Sequence, residues 1–188
     1  MCRIILGGSG GQGVVTLGKL LAVAGMNEGK EISCFPTYGA EMRGGYAFVT
    51  VVISEEEIPS PIVSRAEVGV FLNPFAYDYL KPMVINSGVI IFNSDLIRIK
   101  KGRKKGNLFP VSADTIAQRV GDKRSANMVI AGFLASKAEE FPNLITPFPA
   151  LKSLQESLPV IFPDKENVVA INRKALLSGY DAARSHVF

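Results

Sequence analysis

The chain has 188 residues, which is long enough for one α/β domain with a substantial core and short for two. Hydrophobic residues make up 47% of it, a proportion that excludes a disordered chain, and the net charge is +4. No apolar run reaches the roughly 18 residues of a membrane span. The first apolar run breaks into glycines after Leu6, so it is too short for a secretory signal, and we expect a cytoplasmic protein.

Apolar periodicity and turn residues divide the first half of the chain into alternating strands and helices. They predict, in order, a strand at 2–6, a helix at 12–26, strands at 31–35 and 46–53, irregular chain at 58–63, a strand at 68–72, a short helix at 75–80 and a strand at 89–92. The third strand follows the second after only ten residues, so we expect a mixed element there.

The last third of the chain is predicted to be helical. Ser125 is a suitable N-cap for one helix, Thr146 with Pro147 forms an N-cap and N1 pair for the next, and Asp164 is expected to cap the last. The sequence therefore predicts a single Rossmann-like α/β domain over residues 1–188. Its sheet should be mostly parallel or mixed, with helices on both faces.

Two cysteines, Cys2 and Cys34, stand singly in apolar segments, and the one histidine is His186. Zinc and iron–sulfur sites need several soft ligands at fixed spacing. We therefore expect no metal site on this chain, and we interpret both thiols as buried structural groups.

A run of basic side chains carries the excess positive charge. It consists of Arg98, Lys100, Lys101, Arg103, Lys104 and Lys105. A solvated loop is the simpler interpretation, and an anion site for phosphates or an acidic partner is the alternative. No aromatic residue is interleaved with the run to stack on bases, so nucleic acid is not an expected partner.

The turn after the first strand contains Gly8-x-Gly10-x-x-Gly13. Glycines allow a tight turn, and the helix N-terminus behind them presents unpaired N–H groups to an anion. A purely structural role, in which the glycines permit close packing, is equally open. A dinucleotide site would also need an acidic residue at the end of the second strand, where this chain has residues 34–37, Cys-Phe-Pro-Thr.

Residues 37–45, Thr-Tyr-Gly-Ala-Glu-Met-Arg-Gly-Gly, follow the carboxyl end of the second strand. Open α/β sheets bind ligands at such ends. Arg43 suits planar recognition of a carboxylate or phosphate, whereas Glu41 could instead neutralise it. Ligand contact and an internal Glu41–Arg43 network that only shapes the loop are both open.

Together these two segments resemble the gamma-type domain of the 2-oxoacid:ferredoxin oxidoreductases. That family begins with a strand and G-x-G-G-Q-G, here residues 8–13, and continues with Ser or Thr followed by Y-G-x-E-x-R-G-G, here residues 37–45. Asn127-Met128 at a helix start and the late Asn172 extend the resemblance over nearly the whole chain. The basic run has no counterpart in the family pattern.

The resemblance implies oxidative decarboxylation of a 2-oxoacid with coenzyme A, which gives an acyl-CoA, carbon dioxide and reduced ferredoxin. Thiamine diphosphate, magnesium and Fe–S clusters would lie on partner subunits, and the isolated chain would be inactive. The implied partners are alpha, beta and ferredoxin-like delta subunits, with ferredoxin as electron acceptor. Exposed interface would also permit a homodimer of the isolated chain.

The resemblance further implies which residues contact coenzyme A or a partner subunit. They are Gly8, Gly10, Gly11, Gln12, Gly13, Thr37, Tyr38, Gly39, Glu41, Arg43, Gly44, Gly45 and Asn127. No catalytic residue or metal ligand is implied. The sequence of residues 37–45 resembles 2-oxoglutarate-type gamma subunits more closely than pyruvate-type ones, which favours 2-oxoglutarate as the substrate. Branched-chain 2-oxoacids and indolepyruvate are alternative substrates.

Two other functions are open. A stand-alone nicotinamide-dependent oxidoreductase could share the opening turn. It would need an acidic residue, or a basic residue that binds a 2′-phosphate, after the second strand, together with a catalytic Tyr/Lys pair or a His. The required residue after the second strand is missing, and we find no convincing catalytic pair. A pure assembly subunit without ligand contact is the second alternative.

Overall fold

A computed structural model describes residues 1–37, 45–99 and 107–185. In chain order its strands and α-helices are β1 (Cys2–Ser9), α1 (Val14–Asn27), β2 (Glu31–Thr37), β3 (Tyr46–Ser54), β4 (Ala66–Phe71), α2 (Pro74–Leu80), β5 (Val84–Asn93), β6 (Asn107–Val111), α3 (Ala113–Val120), α4 (Ala126–Glu140), α5 (Leu151–Ile161) and α6 (Glu166–Ser185). No helix within these ranges is long and apolar enough to cross a membrane.

The strands form one mixed sheet in the order β2-β3-β1-β4-β5-β6. β1, β4, β5 and β6 run parallel, and β3 is antiparallel to both of its neighbours, β1 and β2. The predicted α/β class, the mixed element at the third strand and the helical C-terminal third are confirmed.

Helices cover the two faces of the sheet unequally. On one face, α1, α4 and α5 pack on the strands in a large core that includes Leu17, Met128 and Leu154. On the other face α2 supplies Ala76 and Leu80 to a smaller core. α4 is apolar on nearly all sides because it lies between the sheet and α6.

α4 and α6 cross at two glycines. A Cβ atom on Gly132 would overlap the carbonyl oxygen of Leu176, and one on Gly179 would overlap the carbonyl oxygen of Val129. These glycines therefore allow the two helix backbones to approach more closely than any other residue would permit.

The sequence analysis did not predict β6 or α3. β6 contains Pro110, which breaks the pattern of a strand. Proline is tolerated at this position because β6 lies at the end of the sheet order, where a missing N–H donor disrupts no further strand pairing.

The predicted starts of the last two helices are wrong. α5 begins at Leu151, because Pro149 disfavours a helical conformation for the residue before it and so prevents a helix from starting at Pro147. Asp164 has a left-handed φ of 59° and lies two residues before α6 begins at Glu166.

An ion pair joins the start of β1 to β4. Glu67 accepts hydrogen bonds from the Arg3 backbone nitrogen at 2.8 Å and from Arg3 Nε at 3.1 Å, and it also pairs with Arg3 Nη2. Burial raises the pKa of Glu67, but the hydrogen bonds from Arg3 outweigh it, so the net pKa lies below the ordinary 4.5. The pair therefore stabilises the fold above pH 4.5 and loses its contribution as the pH falls through the lowered pKa.

We predict that Glu67→Gln lowers the free energy of unfolding by about 1 kcal/mol at pH 7, because Arg3 is partly exposed and water screens the pair. The difference from wild type should shrink as the pH falls below 4.5. Urea unfolding across this pH range measures it. Glu57→Gln, at an exposed position, is the control. If Glu67→Gln is less stable than wild type by the same amount at acidic pH, the Arg3–Glu67 pair is not the source of the stabilisation.

We predict that Gly132→Ala destabilises the chain by about 3 kcal/mol, because the new methyl group must push α4 and α6 apart. Intrinsic helix propensity alone would favour alanine by about 1 kcal/mol, so the sign of the change is diagnostic. Thermal and urea unfolding measure it. Lys152→Ala on the exposed side of α5 is the control and should change stability by a few tenths of a kcal/mol.

Candidate functional site

The two segments singled out in the sequence meet at one edge of the sheet. β1, β4, β5 and β6 end there, and β3 begins there, opposite the end of β1. β1 leads to α1 on one face, whereas β4 leads to α2 on the other. The crevice between the ends of β1 and β4 is therefore the topological switch point, where open α/β sheets bind ligands.

Gln12 closes the glycine turn. Its Oε1 accepts a hydrogen bond from the Ser9 backbone nitrogen at 2.6 Å, and its own backbone nitrogen donates to the Ser9 carbonyl oxygen at 3.1 Å. Gln12 Nε2 donates to the carbonyl oxygen of Leu72 at 3.2 Å. A single side chain thus holds the turn shut and attaches it to the end of β4.

Asn73 supports the turn from the other side, and the sequence analysis missed it. Its Nδ2 donates to Ser9 Oγ at 2.6 Å, while its Oδ1 accepts from the backbone nitrogen of Ala76 at 2.8 Å and so caps α2. The signal was available, since Asn followed by Pro74 at N1 after a buried strand is typical of a helix start.

Asn127, identified from the resemblance, contacts the turn directly. It is buried at the start of α4, and its Nδ2 donates to the Gly13 carbonyl oxygen at 3.1 Å. Gly13 has a φ of 73°, and a Cβ atom there would collide with the Asn127 amide. Glycine is therefore required at position 13 for both backbone conformation and space.

The other turn glycines differ in their surroundings. A Cβ atom on Gly8 would press against Val14 and Leu72, which favours a packing role for this residue. Gly11 has a φ of 84° with open space beside it. Gly10 donates its backbone N–H to the carbonyl oxygen of Gly45.

This Gly10–Gly45 hydrogen bond connects the two predicted motifs. Thr37 ends β2 and Gly45 precedes β3, so both ends of the 37–45 segment lie at this edge of the sheet. The remaining predicted positions of the segment lie outside the described residues: Tyr38, Gly39, Glu41, Arg43 and Gly44. The structure therefore places the ends of the second motif and not its central side chains.

Beside the turn lies a cleft with a volume of about 340 Å³, within the range of small-molecule sites. Its walls include Gly11, Gln12, Asn93, Asp114, Lys123 and Arg124. Lys123 and Arg124 were not singled out in the sequence. Asn93 could have been, because it is a polar residue at the end of an otherwise buried strand.

Carboxylates hold the polar groups of this cleft in place. Asn93 Nδ2 donates to Asp114 Oδ1 at 3.0 Å, and Lys123 Nζ lies 3.4 Å from Asp114 Oδ2. Arg124 donates to Asp122 from Nε at 3.1 Å and from Nη2 at 2.8 Å, and these hydrogen bonds lower the pKa of Asp122. The Lys123 and Arg124 side chains are 67% and 86% exposed, so water screens both ion pairs and an anion in the cleft can compete with the carboxylates for the two cations.

Among the residues that the structure describes, no three His, Cys, Asp or Glu side chains are grouped closely enough to hold a metal ion. Cys2 is fully buried, and burial raises the pKa of its thiol to about 12. Cys34 was also predicted to be buried, but it is only partly buried, and this burial raises the pKa of its thiol. Both thiols are therefore protonated and weakly nucleophilic at neutral pH.

The family described as "Pyruvate ferredoxin/flavodoxin oxidoreductase" matches residues 3–182 of this chain. Ketoisovalerate oxidoreductase subunit VorA of Methanothermobacter thermautotrophicus is 32% identical over 185 residues, which are 98% of this chain and 37% of VorA. The pyruvate/ketoisovalerate oxidoreductases common subunit gamma of Thermococcus kodakarensis is 31% identical over 173 residues, 86% of this chain and 87% of that subunit.

A solved structure with the same fold is the 2-oxoglutarate:ferredoxin oxidoreductase from Magnetococcus marinus, described with 2-oxoglutarate, coenzyme A and succinyl-CoA bound. It has a TM-score of 0.82 and 27% identity, and the match covers 98% of this chain and 31% of that one. This chain therefore spans about a third of the length of VorA and of that enzyme chain.

We predict that Gln12→Ala opens the turn by releasing the Ser9 amide and the Leu72 carbonyl. Hydrogen exchange of the Ser9 amide, measured by NMR, should accelerate at least tenfold, and stability should fall by about 1 kcal/mol. Gln118→Ala on the exposed face of α3 is the control. Unchanged Ser9 exchange in Gln12→Ala would show that the turn does not depend on this side chain.

Proposed function

The chain belongs to the pyruvate ferredoxin/flavodoxin oxidoreductase family, and on this premise we propose that it is the gamma subunit of a 2-oxoacid:ferredoxin oxidoreductase. The complex would convert a 2-oxoacid and coenzyme A to an acyl-CoA and carbon dioxide with reduction of ferredoxin. Thiamine diphosphate, magnesium and Fe–S clusters would be held by alpha, beta and ferredoxin-like delta subunits, and this chain alone would be inactive. We place the complex in the cytoplasm, where ferredoxin accepts its electrons.

We propose that the edge of the sheet serves coenzyme A. The observation that supports this most is the hydrogen bond from Gly10 to Gly45, because it sets the glycine turn against the 37–45 segment at the switch point of the sheet. Coenzyme A carries phosphates, and the adjoining cleft has Lys123 and Arg124 on its wall. Backbone N–H groups at a glycine turn and exposed cations are suitable partners for phosphate.

Within the 37–45 segment we propose that Tyr38, Glu41 and Arg43 contact coenzyme A or the adjoining subunit. Arg43 is the strongest candidate, because a guanidinium binds phosphate or carboxylate oxygens in a bidentate manner. This chain would take no part in proton transfer or electron transfer.

We propose 2-oxoglutarate as the substrate of the complex, because the sequence of residues 37–45 is similar to that of 2-oxoglutarate-type gamma subunits. Relatives named for ketoisovalerate, 2-oxoglutarate, indolepyruvate and pyruvate/ketoisovalerate are all 29–33% identical to this chain. A branched-chain 2-oxoacid is the second candidate, favoured by the 32% identity and 98% coverage of the VorA match.

Purification of the tagged chain from its native cells without oxygen, followed by activity assays, tests the proposal. Recovery of thiamine diphosphate and Fe–S subunits, with ferredoxin reduction that requires both an oxoacid and coenzyme A, is the expected result. Faster turnover of 2-oxoglutarate than of ketoisovalerate, pyruvate or indolepyruvate would support 2-oxoglutarate as the substrate. If the chain purifies alone and binds NADH tightly, the proposal is wrong and the chain is instead a nicotinamide-dependent enzyme.

We predict that Arg43→Ala in the assembled complex raises the KM for coenzyme A about tenfold, since one bidentate contact contributes about 1.4 kcal/mol. The kcat at saturating coenzyme A and the KM for the oxoacid should change little. Steady-state kinetics of ferredoxin reduction measure all three. Arg173→Ala, at an exposed position of α6, is the matched control. Normal assembly with an unchanged KM for coenzyme A would mean that this chain is an assembly subunit only.

A further inference from the structure

An exposed apolar groove lies on the face of the sheet that α2 covers only in part. Its volume is about 720 Å³, and its floor is formed by side chains of β2 and β3 that point to this face, including Phe35, Phe48 and Thr50. α2 forms one wall with Phe75 and Tyr79. The irregular segment before β4 forms the other wall with Pro61, Ile62 and Val63.

Aromatic rings form a continuous ladder along this groove. Tyr46 stacks on Phe75 with ring centroids 3.9 Å apart, Phe75 stacks on Tyr79 at 5.7 Å, and Tyr79 stacks on Phe48 at 5.6 Å. The stacking holds the rings in fixed positions, so little side-chain entropy remains to be lost when another surface covers them. The groove is therefore preorganised, which lowers the entropic cost of binding another protein surface.

Large apolar side chains at the groove remain in water. Ile62 is 83% exposed, Tyr79 63%, Phe35 55% and Phe75 43%. A contiguous exposed patch of this kind is typical of a protein–protein interface, whereas single exposed apolar residues are not. Aromatic residues are also enriched at the centres of such interfaces.

The chemistry of the groove defines what it can bind. Among the described residues, none that lines the groove carries a charge, and Thr37, Thr50 and the two tyrosines add hydroxyl groups to an apolar surface. β2, which forms one side, is the outermost strand of the sheet. A suitable occupant is an uncharged apolar segment of a protein, with backbone groups that the hydroxyls can bind.

The lengths of the relatives indicate where that segment comes from. In VorA the matched domain is 37% of the polypeptide, and in the Magnetococcus enzyme chain it is 31%. In the common gamma subunit of Thermococcus kodakarensis it is 87%. The same domain thus occurs both joined to a longer polypeptide and nearly by itself. If the short relatives form the same complex, a separate subunit has to supply the additional polypeptide of the long ones.

We propose that the groove between β2, β3 and α2 is the docking site for this separate subunit, which inserts an uncharged apolar segment between Ile62 and Tyr79. This inference rests on the proposed function and adds the surface through which the complex is assembled. Thr37, the first residue of the 37–45 segment, and Tyr46, which follows the segment, both line the groove. A subunit seated here therefore adjoins both ends of the proposed coenzyme A loop.

The test uses the full chain and the purified complex of alpha- and beta-type subunits, mixed without oxygen and followed by titration calorimetry. Ile62→Lys and Tyr79→Ala should each raise the Kd about tenfold, which corresponds to 1.4 kcal/mol, because each removes apolar contact and the lysine also introduces a charge. Ile62 is exposed, so thermal unfolding of the free Ile62→Lys variant should match wild type, whereas Tyr79→Ala loses its stacking on Phe48 and Phe75 and should remain folded with a slightly lower Tm. Val160→Lys is the matched control, because Val160 is 63% exposed on α5, which packs on the opposite face.

Each other outcome overturns the inference. If wild type binds and the two groove variants bind with wild-type affinity, the groove is not the docking site, although the proposed function stands. If wild type does not bind the alpha- and beta-type subunits, both the inference and the proposed function fail. If the free chain is a dimer that Ile62→Lys converts to a monomer in sedimentation experiments, the occupant is a second copy of this chain.

Discussion

The antiparallel pairing of β3 with β1 is the constraint on which the rest of the structure depends. The register runs without interruption from Cys2 opposite Ile53 to Ser9 opposite Tyr46. This pairing carries the start of β3 to the end of β1 and so brings Gly45 within hydrogen-bonding reach of Gly10. A slip of one residue would exchange the two faces of β3, placing its core side chains in the groove and its aromatic side chains against α1.

The glycine turn satisfies most of its polar groups internally. The side chains of Gln12, Asn73 and Asn127 each bridge the turn to a different element, and Asn127 in particular reaches it from a helix more than a hundred residues later. These side chains are therefore engaged in holding the turn and have little capacity left for a ligand. Gly11 has open space beside its backbone, and the adjoining cleft presents further polar groups.

The cleft and the groove are separate surfaces with different chemistry. The cleft presents amides, a carboxylate and two exposed cations, whereas the described residues that line the groove are aromatic, aliphatic or hydroxyl-bearing and carry no charge. Small anionic ligands and apolar protein surfaces are recognised by these different means.

The sequence predicts the α/β class, nearly every strand and helix of the first half, and the two glycine-bearing segments, because these depend on local periodicity and backbone freedom. It missed β6, whose Pro110 is acceptable only at a sheet edge, and it misplaced the starts of α5 and α6. Only the tertiary structure shows that Gly10 meets Gly45, that Asn127 supports Gly13, and that the other described residues leave a patch of aromatic side chains exposed on one sheet face. These contacts join residues far apart in the chain, and strand register and helix packing, which no local pattern encodes, bring them together.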